Sequence, residues 1–310
     1  MPLRGVLPAG QGIIGTDGAM ARDRTKRQTL ADFAANAVLR LLIRVALLLP
    51  YPLRVALFGW VTRRLVAPFA GYRARARANL AMIWPDLPPA ERVRIADEAC
   101  ENAGRTLIEN YSTRDFMARM AALPLTGAGV DALAGAKAAG RPAILVSGHF
   151  GNYEAARAAL VARGYLIGGL YRPMRNAFFN DHYVRTMEAF GGPVFPQGPR
   201  GTAGFVRHLK AGGQLVLLFD QNVVGGAILD FLGHPAATAL SAAELALRYD
   251  ALLVPFYATR QPDGLGFAIE IEAPVPPSDP MTMTQTLNDS LAARVRATPG
   301  QWFWIHRRWK

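Results

Sequence analysis

The alternation of apolar and polar positions changes character along the chain. Between Phe33 and Leu49 apolar residues run almost unbroken, interrupted by Asn36, Arg40 and Arg44 at four-residue spacing. On a helix these three make one polar stripe. Seventeen residues are short for a bilayer span, and two arginines near the middle oppose insertion. Pro50 and Pro52 break the pattern, and a second amphipathic helix is predicted through about Phe69. The reading is a pair of interfacial helices; a hairpin packed on the main domain and a single tilted span are the alternatives. Pro88–Pro89 then opens a helix whose stripe Val93, Ala96, Cys100, Ala103 and Leu107 is predicted to pack.

After Gly140 short apolar runs alternate with helical segments. "PAILVSG", "YLIGGLYR", "QLVLLFD", "LLVPFYATR" and "GFAIEIEA" read as strands. "NYEAARAALVARG", capped by Asn152 and closed at Gly164, reads as a helix, as do "NAFFNDHYVRTMEAFGG", "TAGFVRHLKAGG" and "SAAELALRYDA". One more helix and an aromatic, basic tail end the pattern. The fold class predicted is α/β, a mostly parallel central sheet flanked by helices. Functional residues in such sheets gather at the carboxyl ends of strands, where His149, Arg172 and Asp220 fall.

Charge sharpens the N-terminal picture. The formal net charge is +12, and residues 21–80 hold 12 Lys/Arg against Asp23 and Asp32. Basic charge threaded through Leu, Val, Phe and Trp suits an anionic bilayer interface, and the spaced stacking aromatics of a nucleic-acid groove are missing. The domain reading is therefore residues 1–20 as a disordered tail or a mis-assigned start (Met1 or Met20), 21–80 as basic membrane-associating helices, and 81–310 as the catalytic domain. The single cysteine, Cys100, can form no internal disulfide and reads as a buried thiol.

Candidate chemistry centres on "SGHFGNYE". His149 and Glu154, five apart, would not share a face of one regular helix. With His149 in the loop and Glu154 in the first helical turn, the carboxylate could orient the imidazole as a general base. The competing reading is a polar turn with Glu154 at a helix start. Backbone amides around Gly148–Gly151 are candidate oxyanion donors. Arg172 and Arg175, around the stiffening Pro173, could clamp a phosphate, with Arg200 and Arg207 adding charge. Asp220–Gln221 offers an acceptor and an amide that either orient a catalytic group or cap a turn. The histidines are scattered, so no metal site is predicted, and neither a G-x-S-x-G elbow nor a Walker loop is present.

These residues resemble the bacterial lipid A biosynthesis late acyltransferases. The resemblance is carried by "GHFGNYE", an H-x-x-x-x-E block with Tyr153 where tryptophan is common. In order follow "YRPMRN", "GGQLVLLFDQN", "FLGHPAATALSAAELALRYDALLVPFYATR" and "QWFWIHRRWK", all preceded by "NLAMIWPDLPPAERVRIADEACENAGRTLIE". It covers roughly residues 33–310 and implies a glycerolipid acyltransferase-like fold. It implies as donor an acyl-carrier-protein thioester, or acyl-CoA, with no cofactor. The implied acceptor is a hydroxyl of a phosphorylated glucosamine lipid at the cytoplasmic face of the inner membrane. By the resemblance His149 is the base and Glu154 its partner, while Asn152, Arg172, Arg175, Asp220 and Gln221 bind or position substrate. Whether Glu154 or Asp220 touches His149 is left open. A lysophospholipid or phosphatidylinositol mannoside is the alternative acceptor, and a non-catalytic membrane or nucleic-acid binder the alternative class.

Overall fold

The computed structural model describes residues 17–309, with side chains from Thr29 onward; residues 1–16, and so most of the expected tail or mis-assigned start, lie outside the described residues. In chain order come α1 (Asp17–Leu47), α2 (Tyr51–Val61), a π-helical turn (Thr62–Val66), α3 (Ala67–Phe69), α4 (Tyr72–Ile83), α5 (Pro89–Tyr111) and α6 (Thr113–Ala121). Then follow β1 (Leu125–Thr126), α7 (Val130–Ala138), β2 (Ala143–Ser147), α8 (Tyr153–Ala162), β3 (Ile167–Tyr171), α9 (Ala177–Glu188), β4 (Val194–Pro196), α10 (Pro199–Lys210) and β5 (Gln214–Leu218). The chain continues through the hairpin β6 (Ala227–Phe231) and β7 (His234–Thr238), then α11 (Ser241–Arg248), β8 (Leu252–Arg260), β9 (Phe267–Ile271) and α12 (Pro280–Ala297).

Seven strands form one sheet in the order β1-β9-β8-β2-β5-β3-β4, parallel throughout except for the β8–β9 pair. The α/β reading is borne out. Strand β2 is buried along its whole length and divides its side chains by the two-residue period. Ile144 and Val146 join the core with Leu215, Leu253, Leu291 and Trp302. Ala143 and Leu145 join the opposite core with Phe116, Leu160, Phe190 and Phe256. Helix α8 buries Ala155, Ala156, Ala158 and Ala159, small residues that let it sit close to its neighbours.

The segment β6–β7, not foreseen as strands, shows the alternating burial of a half-covered hairpin. The predicted stripe of α5 is displaced. Ala96 and Cys100 are buried with Ile95, Ala99 and Ile108, whereas Leu107 is exposed and borders a cleft. Helices α2 and α4 dock on α5, and Val55 and Leu80 enter the two cores. Among the described residues no helix is long and apolar enough to cross a membrane, so the single-span alternative finds no helix there to carry it.

Candidate active site

The loop after β2 is pinned on every side. Gly151 has φ +55°, and a β-carbon there would collide with the Ala258 carbonyl, so glycine is required. Its N–H donates to the Gln301 carbonyl (2.9 Å), and its own carbonyl accepts from Asn102 Nδ2 (2.9 Å) and Thr106 Oγ1 (3.1 Å). The Phe150 N–H is bonded to the Gly148 carbonyl and the Asn152 N–H to that of Ala258. With the His149 N–H on Asp220, the amides of residues 149–151 among the expected oxyanion donors, and that of Asn152, are engaged within the fold.

Strand register decides the partner of His149. Strand β5 is the immediate neighbour of β2, with Ser147 paired to Leu218, so the two chains leave the sheet side by side. Asp220 accepts from His149 Nδ1 (2.7 Å) at Oδ1, and from the His149 N–H (2.7 Å) and Trp302 Nε1 (2.9 Å) at Oδ2. Burial works to raise the Asp220 pKa, but the charge and hydrogen bonds of His149 outweigh it and hold the carboxylate well below its ordinary range. An acceptor on Nδ1 fixes the tautomer in which Nε2 carries the lone pair, and His149 lines the cleft.

Glu154 is not brought to the imidazole. Helix α8 begins at Tyr153, whose ring meets that of His149 (centroids 5.5 Å apart), and the following residue turns away. Glu154 is buried against Arg157 Nη1 (3.0 Å), which in turn donates through Nη2 to the Gly191 carbonyl (2.9 Å). The direct partner is Asp220, the other possibility left open by the sequence. Asn152 is a wholly buried cap rather than a surface for substrate: Oδ1 accepts from the Glu154 N–H (3.0 Å) and Nδ2 donates to Glu109 (2.8 Å). Glu109 also holds Arg260 through both carboxylate oxygens (2.5 and 2.8 Å).

Arg172 and Arg175 are exposed and without partners among the described residues, because β3 lies beyond β5 and its exit is one strand further from His149. From that loop it is Met174 that lines the cleft. Gln221 is exposed, its carbonyl accepting from Arg308 Nη1 (3.3 Å).

Sequence reasoning missed the part played by the aromatic tail. Beyond Trp302, the Phe303 N–H donates to the His149 carbonyl (3.0 Å), and the His306 ring stands edge-on to that of His149 with centroids 4.5 Å apart. Burial first, then the charge of His149, pushes the His306 pKa down to about 4. Its neutral ring carries a buried Nε2 with no partner. The only available signal was three polar residues, His306, Arg307 and Arg308, set between Trp302–Ile305 and Trp309 in a mainly aromatic run. His149, Asp220 and His306 lie close enough together to suggest a cation site. The donor set does not fit one, because a cation would compete with three N–H donors for the two Asp220 oxygens.

The cleft itself has a volume of about 900 Å³ and is overwhelmingly apolar. Leu39, Leu42 and Ile43 of α1, Leu57 and Phe58 of α2, Leu107 of α5 and Phe179 and Met187 of α9 form its walls, with His149 and His306 among them. A base at the wall of a long apolar space can take a proton from a hydroxyl while a hydrocarbon chain occupies the rest.

The profile of the bacterial lipid A biosynthesis acyltransferases matches residues 20–310. The chain is 26% identical over 274 residues to the lipid A biosynthesis lauroyltransferase of Escherichia coli, covering 84% of this chain and 87% of that protein. It is 25% identical over 272 residues to a phosphatidylinositol mannoside acyltransferase of Mycobacterium tuberculosis, covering 81% and 86%. A lipid A biosynthesis acyltransferase of Haemophilus influenzae is 23% identical over 241 residues, covering 75% and 74%. With a histidine–carboxylate pair at a strand exit, an apolar cleft and these likenesses together, the chain belongs to the bacterial lipid A biosynthesis acyltransferase family and is an O-acyltransferase.

Proposed function

We propose that this enzyme transfers a fatty acyl chain from an acyl-carrier-protein thioester, or acyl-CoA, to a hydroxyl of a lipid A precursor. The observation that carries the reading is the His149–Asp220 pair at the wall of the apolar cleft. Nε2 of His149 takes the proton as the acceptor oxygen attacks the thioester carbonyl. A C–O bond forms, the C–S bond of the tetrahedral intermediate breaks, and the imidazolium returns its proton to the departing thiolate. Asp220 stabilises the imidazolium in between, and general-base assistance of this kind is worth about 10² to 10⁴-fold.

The reaction takes place at the cytoplasmic face of the inner membrane, with the anionic bilayer as partner and no nucleic acid. Supporting this, Leu41, Leu48, Leu53, Trp60 and Phe69 are exposed on α1–α3, with Arg44 and Arg64 among them. A phosphatidylinositol mannoside acceptor is the second reading, favoured by the comparable identity to such an enzyme. Purified protein with labelled acyl donor, offered a lipid A precursor, a phosphatidylinositol mannoside or lysophosphatidate, tests both readings. Labelling of the lipid A precursor is expected; transfer to lysophosphatidate alone overturns both.

A further inference from the structure

Helices α1 and α9 meet at the rim of the cleft, and their seam carries arginines. Phe33 packs edge-on against Phe178 with centroids 5.6 Å apart, and Asn176 Nδ2 donates to the Asp32 carbonyl (2.7 Å), fixing one end. From Phe33, positions 37, 40 and 44 follow on one face of α1; from Phe178, positions 182 and 185 follow on α9. The progression runs Arg40 and Arg44 alongside His182 and Arg185. On the inner side Tyr111 stacks on His182 (5.5 Å, 17°).

Arg40 and Arg44 on α1 and Arg185 on α9 thus fall on one helix seam, and none is paired with a carboxylate among the described residues. Arg40 and Arg44 have no partner among the described residues, and Arg185 donates only to the Asp181 carbonyl (3.2 Å). Asp181 and Glu188 on α9 are exposed and pair with none of them. Elsewhere Arg54, Arg63, Arg73, Arg157, Arg260 and Arg294 each hold a carboxylate. Burial, then the charges of Arg40, Arg185 and Arg44, push His182 below its ordinary range, which disfavours a further positive charge on this ring. Its Nε2 is buried and unpartnered. Such a cluster of like charges is relieved by an anion.

The surroundings specify what the anion is attached to. Leu39 and Ile43 of α1 and Phe179 and Tyr183 of α9 line the cleft on one side, while Val38 and Leu41 are exposed on the other. We infer that Arg40, Arg44 and Arg185 form a seat for the phosphate of a lipid headgroup held at the mouth of the cleft. The inference rests on the reading of the cleft as a lipid site.

The test compares the full chain with its R40Q/R44Q/R185Q variant on phosphatidylcholine vesicles containing phosphatidic acid. Vesicles carrying oleate at matched surface charge are run in parallel. The variant is expected to bind phosphatidic acid vesicles more than about tenfold more weakly, with less than about threefold loss on oleate vesicles. K210Q/R248Q/R296Q, the same change of charge on α10–α12, is expected to stay within about threefold on both. Should the triple variant melt early, R44Q alone, at an exposed position, is expected to lose about threefold on phosphatidic acid.

Equal loss on both vesicle types, or no loss, overturns the seat. So does loss of binding to an acidic carrier protein with vesicle binding unchanged. Inorganic phosphate at constant ionic strength separates the sources of the anion: it is expected not to displace the vesicles, and full displacement at millimolar concentration overturns the lipid assignment. Acyl transfer is measured separately. An inactive wild type that shows the vesicle difference sinks the acyl-transfer reading and leaves the seat standing.

Discussion

The strand exits around His149 and the helical cover of α1 and α9 are built on opposite terms. At the exits the loop is tightly bonded: Asp220 receives three N–H donors, and the backbone amides of residues 149–152 are all engaged. Along α1 and α9, large apolar side chains are exposed and arginines stand unpaired. Such a bonded loop fixes its side chains in one geometry. A cover whose contacts are left open is suited to be completed by a molecule from outside. The proposed chemistry thus falls on the sheet, and the proposed recognition on the helices that cover it.

The comparison breaks most sharply at the exits. His149→Ala is expected to lower kcat for acyl transfer by about 10³-fold or more, and Asp220→Asn by about 10² to 10⁴-fold. Glu154→Gln, which disturbs only the pair with Arg157, is expected to cost less than about tenfold. An Asp220→Asn enzyme as active as wild type, with Glu154→Gln inactive, would reverse the assignment. Steady-state kinetics on folded variants decides.

Beneath the loop, Arg260→Met leaves Glu109 charged and buried, and is expected to destabilise the fold by about 3 to 5 kcal/mol in chemical denaturation. The His306 ring is held neutral in the fold down to about pH 4, whereas an unfolded imidazole takes up a proton near 6.5. The unfolded chain binds the proton first, so stability falls as pH drops through that window and is fully present above it. Relative to His306→Phe, wild type is expected to lose at most about 3 kcal/mol between pH 6.5 and 4, read from denaturation midpoints.

Trp302→Phe removes one donor to the Asp220 carboxylate and is expected to cost about 1.5 to 3 kcal/mol in kcat/KM. At the other extreme, Leu41→Ser on α1 with Leu48→Ser just past its end, both exposed, is expected to change stability by less than about 0.5 kcal/mol at each site. The same pair should weaken vesicle flotation, and unchanged flotation would remove α1 from the membrane contact.

Much of this was legible in the sequence. "PAILVSG" and "QLVLLFD" each carry an unbroken central apolar run because their strands lie inside the sheet between helices, so the α/β layering could be read directly. Both His149 and Asp220 were found as strand-exit residues. Their pairing was not legible, because it depends on which strands are neighbours: β3 precedes β5 in sequence, yet β5 lies against β2 and β3 beyond it. That spatial order moves Arg172 outward and Asp220 inward. Glu154 looked the natural partner through nearness in sequence, but the start of α8 at Tyr153 turns it into the helix packing. Trp302, Phe303 and His306 lie some 150 residues from His149, a separation no local pattern reports. The seam of α1 and α9 was half legible: Arg40 and Arg44 were seen as a stripe, but not the helix they face.

The wall contributed by Trp302, Phe303 and His306 has a consequence for timing. These residues follow every strand of the sheet in the chain, so during synthesis the sheet can assemble while Asp220 still lacks its indole donor and the cleft one side. A partly made chain would already present exposed apolar helices while the Asp220 carboxylate was incompletely held. Competence for transfer would then arrive last, as an event separate from folding of the sheet.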